Sequence, residues 1–67
     1  MKASTITEGR VYAGRDGSQR RVLSISHAYS DGVIRVHWYR HPGENQAGFT
    51  TPLSMFAQWA VNEVASV

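Results

Sequence analysis

The chain has 67 residues, of which 42% are hydrophobic, so it predicts one globular domain rather than a disordered segment. It contains no cysteine, which excludes disulfides and thiolate metal sites. No apolar run approaches the roughly 20 residues that cross a bilayer, and the N-terminus lacks the apolar centre of a signal peptide. We therefore expect a cytoplasmic protein without a membrane segment. A domain this small can gain stability by self-association, for example as a homodimer.

Positive charge is concentrated in the first 41 residues. This part carries all seven basic residues and three acidic ones, a balance of 7 − 3 = +4, whereas residues 42–67 carry only Glu44 and Glu63. Six of the seven bases are arginine, whose planar guanidinium fits phosphate, carboxylate and aromatic faces. The asymmetry favours an anionic partner.

The first 50 residues predict a loose end over 1–5 and then a β meander over 6–50. Strands are predicted over 10–13, 19–27, 33–41 and 47–50. The Asp-Gly pairs at 16–17 and 31–32 mark turns, because glycine readily adopts the positive φ that tight hairpins need. In the second strand, Leu23 and Ile25 alternate with serines, which places both of them in the core.

The period changes after residue 50, and residues 51–65 predict an amphipathic helix. Thr51 is a suitable N-cap and Pro52 fits the first helical position. At 100° per residue, one face collects the apolar side chains Leu53, Phe56, Ala57, Ala60, Val61 and Val64. The elements together predict a mainly β (α+β) fold: a small barrel or bent antiparallel sheet of four to five strands with one C-terminal helix.

The segment "ITEGRVYAGRDGSQRRVLSI" resembles the first hairpin of an SH3-like small barrel of the KOW and Tudor type. Over residues 6–64, the layout is also similar to short phage and prophage proteins that pair an "RRVLSI" strand and a "VHWY" strand with an "FAQWA" helix. The resemblance implies a phage-encoded module that binds nucleic acid or peptides, a class that rarely includes enzymes. Barrels of this class usually finish with a fifth strand, and here the predicted helix takes that place.

The stretch "VIRVHWYRH" divides into two faces by strand parity. Ile34, Val36 and Trp38 form the predicted core face, and Arg35, His37, Tyr39 and His41 form the outer face. Opposite parity to Leu23 and Ile25 places Arg20 on the same outer face. This basic and aromatic patch predicts nucleic-acid binding, since arginine fits phosphates and aromatic rings stack on bases. The patch is Arg20, Arg35, His37 and Tyr39, with contributions from Arg10, Arg15, Arg21 and Arg40.

Two other interpretations of these residues stay open. The outer row is also typical of an ordinary solvated sheet face. Met55 and Trp59 are one helical turn apart and off the core face, so they predict an alternative function as a protein-interaction module, an inhibitor or adaptor of a host protein. That module could also use the outer sheet face, and Trp59 could instead cover the edge of the barrel.

Catalytic and metal sites are not expected. His37 and His41 would lie about 13 Å apart along one strand, too far for one zinc ion. No Gly-x-Ser-x-Gly turn presents a nucleophile, and the acids Asp16 and Asp31 are accounted for by turns. We therefore predict a non-enzymatic protein without cofactor or metal. An accessory enzyme with a pocket between symmetry-related copies is a minor alternative.

Overall fold

A computed structural model describes residues 1–27, 30–43 and 48–64. They form one antiparallel sheet and one helix, in the order β1 (Val11–Ala13), β2 (Gln19–Ser26), β3 (Arg35–His41), β4 (Phe49–Pro52), α1 (Leu53–Trp59) and β5 (Asn62–Glu63). The order of strands across the sheet is β4-β3-β2-β1-β5, so the sheet is open with β4 and β5 at its edges. The predicted mainly β fold with one helix near the C-terminus is confirmed.

Both Asp-Gly pairs lie in turns, as predicted. Gly17 and Gly32 have φ values of +84° and +73°, in the left-handed region that favours glycine. The preceding aspartates hold the turns from their side chains. Oδ1 of Asp16 accepts a hydrogen bond from the backbone N–H of Ser18 at 3.1 Å, and Oδ1 of Asp31 accepts one from the backbone of Val33 at 3.0 Å.

A β-bulge in β2 changes which side chains face the core. Val22 is opposite Trp38 and Ser24 is opposite His37, so Leu23 is an extra residue on its strand. Val22 is fully buried, whereas Leu23 is 51% exposed. The prediction that Leu23 belongs to the core is therefore wrong, because the alternation of side chains reverses at the bulge. Ile25, beyond the bulge, packs against the core as predicted.

The helix is shorter than the predicted 51–65. It begins at Leu53 and ends at Trp59, and β5 then pairs with β1. The hydroxyl of Thr51 does not cap the helix. Instead, it accepts a hydrogen bond from Nε1 of Trp38 at 2.9 Å.

One hydrophobic core lies between the sheet and α1. Its fully buried side chains are Tyr12, Val22, Val36 and Phe56, and further buried residues are Ile6, Trp38, Ala57 and Ala60. The hydroxyl of Tyr12 accepts a hydrogen bond from the backbone of Thr7 and donates one to the carbonyl of Thr5, so its burial leaves no polar atom unpaired.

The N-terminal segment, expected to be loose, is attached to this core. Residues Ala3–Thr5 form a 3-10 turn. The amino group of Met1 donates hydrogen bonds to the carbonyls of Ala57 and Ala60 at 3.1 and 3.2 Å. These carbonyls lie at the C-terminal end of α1, where a positive charge is favourable. Within the described ranges, no helix is long and apolar enough to cross a membrane.

Gly14 at the end of β1 provides a test of the packing of α1 on the sheet. A Cβ atom added at Gly14 would lie 2.3 Å from Nε1 of Trp59, whereas one at Gly48 would lie 3.5 Å from the nearest atom. We expect Gly14→Ala to lower the free energy of unfolding by about 2 kcal/mol, because Trp59 must move. The matched variant Gly48→Ala should change it by less than about 0.5 kcal/mol. Equal urea denaturation midpoints for the two variants would show that Trp59 is not held against β1.

Candidate nucleic-acid interface

Half of the predicted outer row on β3 is engaged within the chain. Nε2 of His37 lies 3.1 Å from the hydroxyl of Ser26, and its Nδ1 lies 3.0 Å from the hydroxyl of Thr50. The imidazole is thus held between β2 and β4 with both nitrogens occupied. This leaves His37 little capacity to bind a ligand.

Arg35 also has an internal partner. Its Nη2 donates to Oδ2 of Asp31 at 2.8 Å, and the carboxylate also accepts from the backbone of Val33. The hydrogen bond from Arg35, followed by the one from Val33, lowers the pKa of Asp31. The charge of Arg35 is therefore partly neutralised. Arg35 was predicted to be one of the four residues of the patch, and the structure places it beside an acid.

Arg20 lies on the opposite face from the one predicted. Because the bulge reverses the alternation at Leu23, Arg20 shares the inner face with Val22 and Trp38. Its Cζ lies 4.0 Å from the ring centroid of Trp38 and 4.0 Å from that of Trp59. The guanidinium is thus clamped between two indoles, one from β3 and one from α1. The prediction that joined Arg20 to Arg35, His37 and Tyr39 is wrong.

We call the arrangement of Arg20 with Trp38 and Trp59 the clamp. Other aromatic side chains pack against it. Phe49 stacks on Trp38 with centroids 4.7 Å apart, and it comes from β4, on the other side of β3 from Arg20. Phe56 meets both indoles edge-on at 6.3 and 5.3 Å. Burial lowers the pKa of Arg20; the charge of Asp16 opposes this shift and that of Arg40 adds to it. Arginine nevertheless stays protonated, so the clamp holds a cation.

The remaining candidates gather where the ladder between β2 and β3 ends. Arg20 is opposite Arg40, and Arg21 is opposite Tyr39. His41, the last residue of β3, is opposite Gln19. We call Arg20, Arg21, Tyr39, Arg40 and His41 together the arginine surface.

Two cavities open on the arginine surface, and both include His41 and Pro42. One, of about 520 Å³, is lined by Arg20 and Arg40 together with the two clamping indoles. The other, of about 510 Å³, is lined by Arg21 and Tyr39. Each cavity thus combines arginine with an aromatic ring. Among the described residues, the guanidinium groups of Arg21 and Arg40 have no hydrogen-bond or ion-pair partner.

The other predicted site residues lie around this surface. Arg15 is exposed and shares a small cavity with Trp59. Arg10 lies 3.9 Å from the carboxylate of Glu63. Met55 is 58% exposed on α1, whereas Trp59 packs against the core. The structure therefore separates the two residues of the predicted protein interface, and that interface stays a prediction.

Neither the contact of Arg20 with the two indoles nor the cavity beside it was predicted from the sequence. Trp38 was placed correctly in the core, but its ring face turned out to support an arginine. Gln19, Ser18 and Pro42 line the cavity and were not proposed as site residues. Arg20 lies on the same face of the sheet as Trp38 only because of the bulge. No residue of the "RRVLSIS" segment predicts where a bulge will form.

Comparison with known proteins adds no identification, because no family model, curated protein or solved structure matches the chain. The resemblance to phage SH3-like modules stays a prediction.

Substitution of the two neighbouring arginines tests the assignment of faces. Arg20→Ala should lower the free energy of unfolding by about 1 to 2 kcal/mol, because two cation–π contacts and the packing of the arginine stem are lost. Arg21→Ala, on the other face, should change it by less than about 0.5 kcal/mol. Urea denaturation of both variants measures the difference. If Arg21→Ala lowered the free energy of unfolding more than Arg20→Ala, the assignment of Arg20 to the inner face would be wrong.

Acid denaturation tests the pair of Asp31 and Arg35. The pKa of Asp31 is lowered on folding, so its contribution to stability is present above the unfolded value and is lost as pH falls through the folded value. Between about pH 6 and about pH 2, the wild type should therefore lose more stability than Asp31→Asn. The lowered pKa of Asp16 affects both proteins and cancels. Parallel profiles of unfolding free energy against pH would contradict the pairing.

Proposed function

We propose that the protein is a non-enzymatic module that binds single-stranded nucleic acid through the arginine surface. The observation that carries the proposal is the pair of cavities meeting at His41 and Pro42, each with arginine beside an aromatic ring. Among the described residues around the arginine surface, four arginines (Arg15, Arg20, Arg21 and Arg40) stand with one acid, Asp16, which gives a local balance of 4 − 1 = +3. This is a strongly positive end on a molecule whose net charge is only +2.

The distribution of aromatic groups supports a single strand over a duplex. Tyr39 is partly exposed at the sheet end and can stack on a base, whereas Trp38 is buried and its ring already contacts Arg20 and Phe49. Stacking on unpaired bases contributes about 1 to 3 kcal/mol per base, and paired bases do not present their faces to a protein surface. The arginine side chains on the two faces of the sheet end would bind phosphates of the same strand.

The alternative of a host-protein partner has less support in the geometry. Trp59, its main anchor, already contacts Arg20 and Phe56 and lies against Gly14. A nucleophilic role for Ser26 and His37 is also weaker than their spacing suggests. The second nitrogen of His37 contacts the hydroxyl of Thr50, where a nucleophile–base pair would need an orienting carboxylate.

A double substitution measures the contribution of the arginine surface. Arg21→Ala with Arg40→Ala should weaken binding to a short single strand by roughly tenfold at about 50 mM salt. If each arginine contacts one phosphate, the slope of log affinity against log salt should fall by about 1.4, at roughly 0.7 per contact. Fluorescence anisotropy with labelled DNA and RNA strands and a duplex measures both quantities.

The chain provides a matched control with the same change in net charge. Arg10→Ala with Arg35→Ala removes two arginines that already lie beside Glu63 and Asp31. We expect a loss of less than about threefold, because these charges are partly neutralised. Equal losses in the two double variants would mean that binding follows overall charge and not the arginine surface. A wild type with a flat salt dependence would contradict nucleic-acid binding altogether.

A further inference from the structure

The clamp on Arg20 determines where its hydrogen-bond donors can point. A guanidinium carries five N–H donors, all in its own plane. The ring centroids of Trp38 and Trp59 each lie 4.0 Å from Cζ, so two indoles occupy part of the space around the group. Its donors can therefore be satisfied only where the indoles leave the guanidinium uncovered. No described residue accepts a hydrogen bond from Arg20, and its side chain lines the cavity of about 520 Å³.

The other groups around this cavity are mostly donors. Arg40, His41 and Gln19 line it together with Arg20. Among the described lining residues the one carboxylate is Asp16, whose Oδ1 accepts hydrogen bonds from the backbone and the hydroxyl of Ser18, at 3.1 and 2.7 Å, and whose charge only partly offsets the two arginines. The residues that line the cavity therefore include two arginines and a histidine.

We infer that this cavity binds a phosphate monoester, namely the terminal phosphate of a single strand of nucleic acid. The inference deepens the proposed function and rests on it. A monoester carries a charge of about −1.5 to −2 and three terminal oxygens, whereas a phosphodiester within a strand carries a charge of about −1 and two. Three donor side chains, Arg20, Arg40 and His41, match three oxygens. The clamp also holds Arg20 still, so less side-chain entropy is lost when the phosphate binds.

Binding of matched oligonucleotides tests the inference. The strands have one sequence and carry a 5′-phosphate, a 3′-phosphate or hydroxyls at both ends. A hydroxyl-ended strand two nucleotides longer, with two more phosphodiesters at about −1 each, controls for the added charge. We expect the preferred phosphorylated strand to bind roughly tenfold more tightly than either hydroxyl-ended strand. Added inorganic phosphate should reduce this difference in affinity, because it competes for the same site. The emission of Trp38 and Trp59 provides a readout at the clamp itself.

Two variants separate the role of the site from its role in folding. Arg40→Gln leaves the clamp intact and should reduce the preference for a terminal phosphate to less than about threefold. Arg20→Lys keeps the charge but removes the planar donors, and it should have the same effect. If Arg20→Lys unfolds the domain, as circular dichroism would show, Arg40→Gln alone decides.

The outcomes distinguish this inference from the function on which it rests. Equal affinity for phosphorylated and hydroxyl-ended strands, with the Arg21 and Arg40 double variant still weakened, would overturn the terminal-phosphate site and leave nucleic-acid binding in place. Binding of inorganic phosphate or a phosphoserine peptide, with no binding of any strand, would overturn both.

Discussion

The position of the Arg20 guanidinium between Trp38 and Trp59 is the contact on which the rest of the structure depends. It joins β2, β3 and α1 at one point, and the domain has no disulfide to do so. The helix has only seven residues, too few to be stable by itself, so it needs such an anchor. Gly14 allows the anchor to form because its missing side chain leaves space for the indole of Trp59.

The β-bulge at Leu23 determines which arginine takes part in this contact. One extra residue in β2 sends Arg20 to the inner face and Arg21 to the outer face. Adjacent arginines would point to opposite faces in any strand, but the bulge determines which one meets the tryptophans. It also turns Leu23 out to solvent. The chemistry at the end of the sheet thus follows from a backbone irregularity at Leu23, 12 residues before β3 begins at Arg35 (35 − 23 = 12).

Much of the fold could be predicted from local patterns. The Asp-Gly turns follow from the conformational freedom of glycine, and the burial of Val36 and Trp38 follows from the alternation within a single regular strand. Parity failed in β2 because it assumes an uninterrupted strand, and the alternation of Leu23 and Ile25 with serines continues across the bulge without a signal. The helix was overextended because Val61 and Val64 continue its apolar period, while pairing with β1 takes over after Trp59.

The candidate site was predicted in its residue types more than in its arrangement. The importance of arginine and aromatic side chains was visible in the composition. That Arg35 and His37 have partners within the chain was not, because Asp31, Ser26 and Thr50 reach them only through the fold. Pairing information between strands is needed to tell an available cation from one that is already neutralised.

The close fit of Gly14, Arg20, Trp38 and Trp59 has a consequence for how this sequence can diverge. A larger residue at position 14 displaces the indole of Trp59, and loss of that indole uncovers Arg20. The effect of a change at any of the four positions therefore depends on the other three residues. The four positions are expected to be inherited as a set, with strong epistasis among them. Met55, which is exposed on α1, is free of that coupling and can drift independently.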